Sequence, residues 1–401
     1  MNCKNKRNFK MLSATLMAFV LAVAAVLGIY HRMIPDEISV FSGEAIPSYL
    51  GADAMCSYEG TCDAQSLYYE QEAQYKLLGV IPLKTVNLVS YKDIKVYPGG
   101  MPFGVKFYTS GVLVIGFCDI DTAKGKENPA YAAGLRLKDV ITHIDGKELG
   151  SATELTEAVE HSEGRALTIR YTRGGESAET TLTPVFSVNE GIYKAGIWVK
   201  DSGAGIGTVS FILPESNYFT GLGHGICDSE TGELLPIERG TVLDVNISGI
   251  NKGVSGTPGE LKGFFGAGKT GTLLGNDACG VYGIFSQCPN AVGDPVPLGL
   301  KHEVSEGEAY IYCTLDGNGI GKYKVEIHNI NRNATGGKCF TVKVTDKALL
   351  EKTGGIVQGM SGSPILQNGK LIGAVTHVMI GDPTTGYGIF AENMLRLISE
   401  Q

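Results

Sequence analysis

Residues 354 to 378 read GGIVQGMSGSPILQNGKLIGAVTHV. Two serines stand among glycines, and two short apolar runs follow, joined at Asn368-Gly369. Asn-Gly between apolar runs is a strong short-range signal for a two-residue β-hairpin, because both residues accept positive φ. The serines therefore lie on a loop that feeds a rigid strand pair. Gly359 and Gly362 bracket Ser361, and glycine lets a backbone turn tightly enough to gather N–H groups on one side. Taken alone, a glycine-flanked serine is more often a turn than a hydroxyl held for chemistry.

Working outward, the chain after Pro184 alternates short apolar strands with Gly, Pro and Asn turns: GIYKAGIWV, GIGTVSFIL, VLDVNISGI, GEAYIYCTL, GKYKVEIHNI and CFTVKV. No long amphipathic helix interrupts them before the terminal AENMLRLISE. That spacing predicts an antiparallel sandwich or barrel over 186–401, a length that suits one double-barrel unit. The abundance of glycine, 55 residues without a G-x-y period, fits a chain of tight turns. A net charge of -8 argues against a nucleic-acid surface, which needs a dense basic patch.

At the other end, MNCKNKRNFK (1–10) carries basic side chains and no acid, and residues 11–30 carry no charge at all. As a helix, that run spans roughly 30 Å, one hydrocarbon core. Basic residues ahead of it predict a cytoplasmic start and a translocated remainder, so a retained signal-anchor is expected in preference to a cleaved signal. Residues 31–90 read as a connector with a short helix and a strand. Of nine cysteines, Cys56 and Cys62 are spaced to pair outside the cytoplasm, and no pattern suggests zinc or any other metal. The string GFFGAGKT (263–270) satisfies a phosphate-loop expression through Gly263, Gly268, Lys269 and Thr270. It lacks the preceding buried strand and following helix, so a glycine-rich hairpin is expected and no nucleotide or cofactor.

Residues 91–185 contain NPAYAAGLRLKDVITHIDGKELGS, then a helix-like TELTEAVEHSEG with Thr153 as the expected N-cap, then a strand. The segment resembles a PDZ domain. Such a domain adds an extended peptide to a strand edge and holds its terminal carboxylate in a backbone nest. The expected peptide site is Gly111, Val112, Leu113 and Val114.

A serine nucleophile needs an imidazole within about 3 Å. Of seven histidines, His224, between glycines in YFTGLGHGICD, is the favoured base, with His377 on the second hairpin arm as the alternative. For the acid that orients the imidazole, Asp244 and Asp346 remain open from the residues alone, while Asp228 is so close to His224 in sequence that the local geometry is awkward.

The loop GMSGSP with its hairpin resembles the Gly-Asp-Ser-Gly-Gly-Pro nucleophile loop of trypsin-like serine peptidases. That resemblance implies Ser361 as nucleophile, with Ser363 a minor alternative, and the Gly359 and Ser361 amides as oxyanion donors. Met360 replaces the aspartate, so the ion pair made by digestive enzymes is absent. The whole chain resembles the stage IV sporulation protein B peptidases of spore-forming Firmicutes, above all through GIGTVSFILPESNYFTGLGHGI (205–226) and KTGGIVQGMSGSPILQNGKLIGAVTHVMIGDPTTGYGI (352–389). It implies a mostly β protein with an N-terminal transmembrane helix, a PDZ-like domain and a trypsin-like double β-barrel. It also implies Asp346 as the triad acid. The implied activity is a serine endopeptidase of the forespore inner membrane, its catalytic part in the intermembrane space. Such a peptidase cleaves itself and then a membrane-bound regulator, which activates a late sigma factor. The competing expectation from another class is a catalytically silent, membrane-tethered PDZ adaptor.

Overall fold

The computed structural model describes residues 3–56, 67–229, 231–289 and 293–399, with side chains from Thr15 onward. It divides into two units. One holds the chain up to Ile94 with Leu300–Glu303, the other Lys95–Gly299 with Val304–Ser399.

In the first unit, α1 (Cys3–Met33) contains Thr15–Met33, the one helix among the described residues long and apolar enough to cross a membrane. Strands β1 (Glu37–Phe41), β2 (Ala52–Cys56), β3 (Tyr68–Leu77) and β4 (Ile81–Tyr91) form a sheet in the order β1-β4-β3-β2, with β1 parallel to β4. The period of two along β3 and β4 turns Ala73, Tyr75, Val86 and Leu88 to one face, where they cover Tyr30 and Ile34 at the end of α1. Buried Tyr75 donates its hydroxyl to the Pro47 carbonyl at 2.6 Å, so its burial strands no polar group. The segment expected as a connector is therefore a sheet with its own core. Cys62 lies outside the described residues.

The second unit opens with β5 (Lys95–Pro98) and β6 (Pro102–Phe117). A ribbon of β7 (Ile120–Thr122) and β8 (Gly125–Glu127) follows, then α2 (Pro129–Ala132), β9 (Val140–Ile144), its partner β10 (Lys147–Glu148), α3 (Ala152–Glu160), β11 (Leu167–Arg173) and β12 (Glu176–Leu182). Val112, Val114, Ile141, Leu155, Val159 and Ile169 share the core of this segment. Helix α3 starts two residues earlier than expected. Ser151, not Thr153, is its N-cap, accepting from Glu154 N at 3.2 Å. Ser-Ala-Thr-Glu is a capping-box sequence, and the earlier serine wins because its hydroxyl reaches the third helical amide.

The pair β13 (Val185–Phe186) and β14 (Tyr193–Lys194) leads into β15 (Ile197–Ile212), β16 (Tyr218–Gly221), β17 (Ile237–Asn251), β18 (Glu260–Asp277), β19 (Gly280–Phe285) and β20 (Val296–Pro297). Strands β15 to β20 join β5, β6, β9, β11 and β12 of the preceding segment in one sheet, β12-β11-β9-β6-β17-β18-β19-β16-β15-β5-β20, in which β6 also pairs with β15, while β7-β8 and β13-β14 stay separate two-stranded ribbons. Strand β6 serves two cores. Its Phe103, Val105 and Phe107 pack with Phe219 and Phe285, while its Val112 and Val114 pack around α3. The GFFGAGKT string runs as extended chain inside β18, opposite β17.

The remaining strands, β21 (Gly307–Thr314), β22 (Ile320–His328), β23 (Phe340–Val344), β24 (Pro364–Gln367), β25 (Lys370–Met379) and β26 (Asp382–Phe390), close into a barrel in the order β21-β22-β23-β26-β25-β24. Helix α4 (Lys347–Thr353) precedes β24, and α5 (Ala391–Ser399) ends the unit with Met394, Leu395 and Ile398 buried. The hairpin between β24 and β25 turns at Asn368 and Gly369, with φ of 51° and 78°. Two successive positive φ values match the right-handed twist of the strands it joins. Where the sequence suggests two barrels, one closed barrel stands out and the earlier strands belong to the larger sheet.

Candidate active site

The segment from Val357 to Ser363 is shaped by two tight turns. Met360 N donates to Val357 O at 3.1 Å and Ser363 N to Met360 O at 2.9 Å. Gly359 and Gly362 both sit at φ +94°, where a side chain is strained. At Gly362 space is also lacking, since a Cβ there would lie 2.0 Å from Thr208 O. The loop is pinned from both sides. Gly362 N donates to Val375 O on β25 at 2.7 Å. From β15, Thr208 N donates to Ser361 O at 2.9 Å, Thr208 Oγ1 to Gly359 O at 2.7 Å, and Ser210 Oγ to Gly362 O at 2.8 Å. Neither the Gly359 nor the Ser361 amide donates to a protein acceptor among the described residues.

Ser361 and His224 line the same cavity, about 660 Å³ in volume, with His377, Thr376 and an apolar wall that includes Leu222 and Ile356. Ser363 is fully buried and does not line it, which removes it as a nucleophile. The Ser361 hydroxyl donates to Thr376 O at 2.6 Å. His224 Nδ1 lies 3.0 Å from Gly225 O. A carbonyl only accepts, so Nδ1 carries the hydrogen and Nε2 keeps its lone pair. Burial holds the His224 pKa below the ordinary imidazole range, opposed by the Gly225 carbonyl. The His377 ring stacks at 4.5 Å from that of His224, tilted by 34°. Its pKa is also depressed, first by desolvation and then by His224 and Lys338, because two stacked rings cannot cheaply both be charged.

The structure does not bring Asp346 to this cavity. It is the N-cap of α4, where Oδ1 accepts from Leu349 N at 3.0 Å and Oδ2 from Lys324 N at 3.3 Å. An aspartate directly before Lys-Ala-Leu-Leu is a helix-start signal, and the local backbone amides claim the carboxylate. Asp244 lies on β17 against Gly266 and Gly268 of β18. Asp228 is buried and is held by Lys200 at 3.2 Å. Neither aspartate lines the cavity.

The expected peptide site at Gly111–Val114 also needs correction. Both edges of this stretch are taken. Val112 and Leu113 pair with Ile141 and Val140 of β9, and Leu113 and Val114 with Lys200 and Val199 of β15. A groove of about 300 Å³ lies elsewhere, between Leu155, Thr156 and Val159 of α3 and the stretch Tyr193–Val199. There β15 pairs with β6 on one edge only, and among the described residues no strand covers the other edge of Ile197–Lys200. The sequence did carry a signal for this wall: Gly196, in KAGIWV, takes φ +76° with no room for a Cβ.

Comparison with known proteins gives two family matches, both starting and ending in the second unit. A family model described as SpoIVB peptidase S55 matches residues 191–395, just over half the chain, and a PDZ domain model matches residues 110–183. The zinc metalloprotease RasP of Shouchella clausii (strain KSM-K16) is 42% identical over 59 residues, which span 15% of this chain and only 14% of RasP. Among solved structures, the PDZ domain of the SdrC-like protein from Listeria monocytogenes is 23% identical, covering 22% of this chain and 87% of that one, with a TM-score of 0.19. The Rv3671c protease in an inactive form is 16% identical, covering 49% and 83%, with a TM-score of 0.29. The HtrA-type protease AlgW with a decapeptide is 14% identical, covering 50% and 54%, with a TM-score of 0.30. With its nucleophile-type loop and a histidine on one cavity, and a family match across the whole of that unit's later strands, the chain belongs to the SpoIVB peptidase S55 family of serine peptidases.

Proposed function

We propose that peptide hydrolysis proceeds at the cavity shared by Ser361 and His224. Ser361 attacks the scissile carbonyl, His224 Nε2 takes its proton and returns it to the leaving amine, and the Gly359 and Ser361 amides take the negative charge of the tetrahedral oxygen. The observation that carries this reading is a loop whose Gly359 and Ser361 amides have no protein acceptor among the described residues and whose Ser361 lines one cavity with His224. In the resting arrangement the hydroxyl donates to Thr376 O, so that bond has to break before the proton passes to His224. The Gly225 carbonyl orients the ring in the place an aspartate takes in trypsin-like enzymes. Asp346 then acts through α4, whose C-cap Gly354 (φ +75°) leads directly into the nucleophile loop.

The double barrel belongs to this reading. It is supported by β6 pairing with both β17 and β15, which links β6, β17, β18, β19, β16 and β15 in a ring beside the closed barrel. So does the biological assignment. The substrates are the chain itself and a membrane-bound regulator in sporulation signalling, α1 anchors the enzyme in the forespore inner membrane, and the groove beside α3 takes an extended peptide.

A fluorophosphonate probe tests the chemistry. It labels the parent protein, and labelling is lost in Ser361→Ala and in His224→Ala. Equal labelling of Ser361→Ala and the parent would leave the tethered adaptor as the better description.

A further inference from the structure

Strand β15 is one uninterrupted element of 16 residues with two different duties. Its first residues, Ile197 to Val199, form a wall of the groove beside α3. Its Thr208 and Ser210 make the three hydrogen bonds that hold the carbonyls of Gly359, Ser361 and Gly362, with Thr208 supplying two contacts, one of them through its side chain. Between these ends, register shifts occur at Trp198/Val199 and Lys200/Ser202, and the run Ser202–Gly207 is almost all small residues. A Cβ on Gly203 would meet the Phe107 ring at 2.5 Å, and one on Gly207 would meet Leu222 at 2.0 Å. At Gly203 and Gly207 the strand therefore lies against Phe107 and Leu222 with no room for a Cβ, so a shift of the strand at these points has to move those side chains as well. One further bond ties the groove to the strand: Asp201 Oδ2 accepts from Ala152 N, the first amide of α3, at 2.8 Å.

We propose that Thr208 is a positioning residue for the oxyanion loop, and that β15 makes its position depend on how α3 is held at the groove. The hydroxyl of Thr208 holds the Gly359 carbonyl and its amide holds the Ser361 carbonyl, so the two residues that carry the oxyanion donors are both held from a single residue. Asp201 is the point at which the α3 side of the groove grips the same strand. The inference rests on the assignment of Ser361 as nucleophile.

The test uses the full chain and the rate of fluorophosphonate labelling, separated into the inactivation rate at saturation and the probe's apparent affinity. Thr208→Val keeps the shape and removes one donor. The saturated rate is expected to fall by about tenfold with affinity unchanged, the worth of one hydrogen bond expressed in the transition state. Thr208→Ser is expected to restore the parental rate, which a purely structural role for a buried threonine would not predict. Asp201→Ala is expected to lower the rate by about threefold in the parent and to have no further effect in Thr208→Val, since residues this far apart otherwise act additively. A Thr208→Val protein that labels at the parental rate, or a Thr208→Ser protein as slow as Thr208→Val, overturns the positioning role. Additive effects of Asp201→Ala and Thr208→Val overturn the linkage through β15. Parental labelling of Ser361→Ala in the same series refutes the nucleophile assignment itself, an outcome distinct from either.

Discussion

Replacing Asp346 by asparagine separates two roles that a deletion to alanine would confuse. As an N-cap, asparagine is as good as aspartate, because its amide oxygen accepts from the third helical amide in the same way. Leu349 N therefore keeps its acceptor, and only the longer bond from Lys324 N, at 3.3 Å, meets an NH2 group in place of an oxygen. That loss is worth about 0.5–1 kcal/mol at a part-exposed site. Stability falls slightly, by roughly 2–3 °C in Tm, and the probe-labelling rate stays within about twofold of the parent. Asp346→Ala removes both acceptors and costs roughly 1–2 kcal/mol of stability. A triad acid behaves differently. In an enzyme with a His–Asp pair, asparagine inverts the ring tautomer and lowers kcat by roughly 10⁴, about 5 kcal/mol in the transition state. The two expectations differ by more than three orders of magnitude. Labelling of Asp346→Asn by the fluorophosphonate, with thermal unfolding in parallel, decides between them. A fall of a thousandfold or more without unfolding would refute the capping role and return Asp346 to the catalytic site.

Three further outcomes follow from the same geometry. His224 must be neutral to act as base, and its folded-state pKa is depressed. The acid limb of the labelling rate is therefore expected below the ordinary imidazole range, near 6.5. The same depression makes the unfolded chain bind more protons than the folded one. Stability is thus full above pH of about 6.5 and declines as pH falls toward the folded pKa of His224 and His377, which chemical denaturation across that window measures. Gly362→Ala places a methyl group 2.0 Å from Thr208 O at φ +94°. The strain of positive φ is roughly 1–2 kcal/mol before any clash. Labelling is expected to be abolished, while Gly369→Ala, in an open turn, loses stability by a similar strain term but keeps labelling.

The parts of this site legible in the sequence are those whose chemistry is local. Asn368-Gly369 specified its turn because both residues tolerate the φ values that the hairpin twist demands. The glycines around Ser361 marked the loop for the same reason, and the distant block GIGTVSF, which carries Thr208 and Ser210, reads as a strand on its own, with only the resemblance linking it to that loop. What the sequence left open is set by which groups meet across the fold. Asp346 competes between a remote imidazole and the amides three residues ahead, and the nearby partners win without any ordering of long chain segments. The peptide edge was misplaced because Gly111–Val114 reads as an available strand until β9 and β15 are seen on its two sides. The sheet of 37–91 was missed because its burial pattern is weak along β3, where charged and tyrosine residues share the strand.

Among the described residues, the partner of His224 Nδ1 is a backbone carbonyl and not a carboxylate, and under the proposed mechanism this has a consequence for rate. A backbone carbonyl fixes the tautomer and points the ring as well as aspartate does, since both accept the Nδ1 hydrogen. It carries no net charge, however, and so stabilises the imidazolium formed during attack less than a carboxylate would at the same distance. His377, stacked on the ring, adds to the cost of that charge if it is itself protonated, so acid lowers the rate twice: once by titrating the base and again by charging its neighbour. Substituting His377→Gln leaves a stacked, polar but uncharged neighbour and is expected to remove only the second effect. If the acid limb keeps its parental steepness in His377→Gln, the two rings titrate independently and the stacking seen between them has no part in setting the pH response.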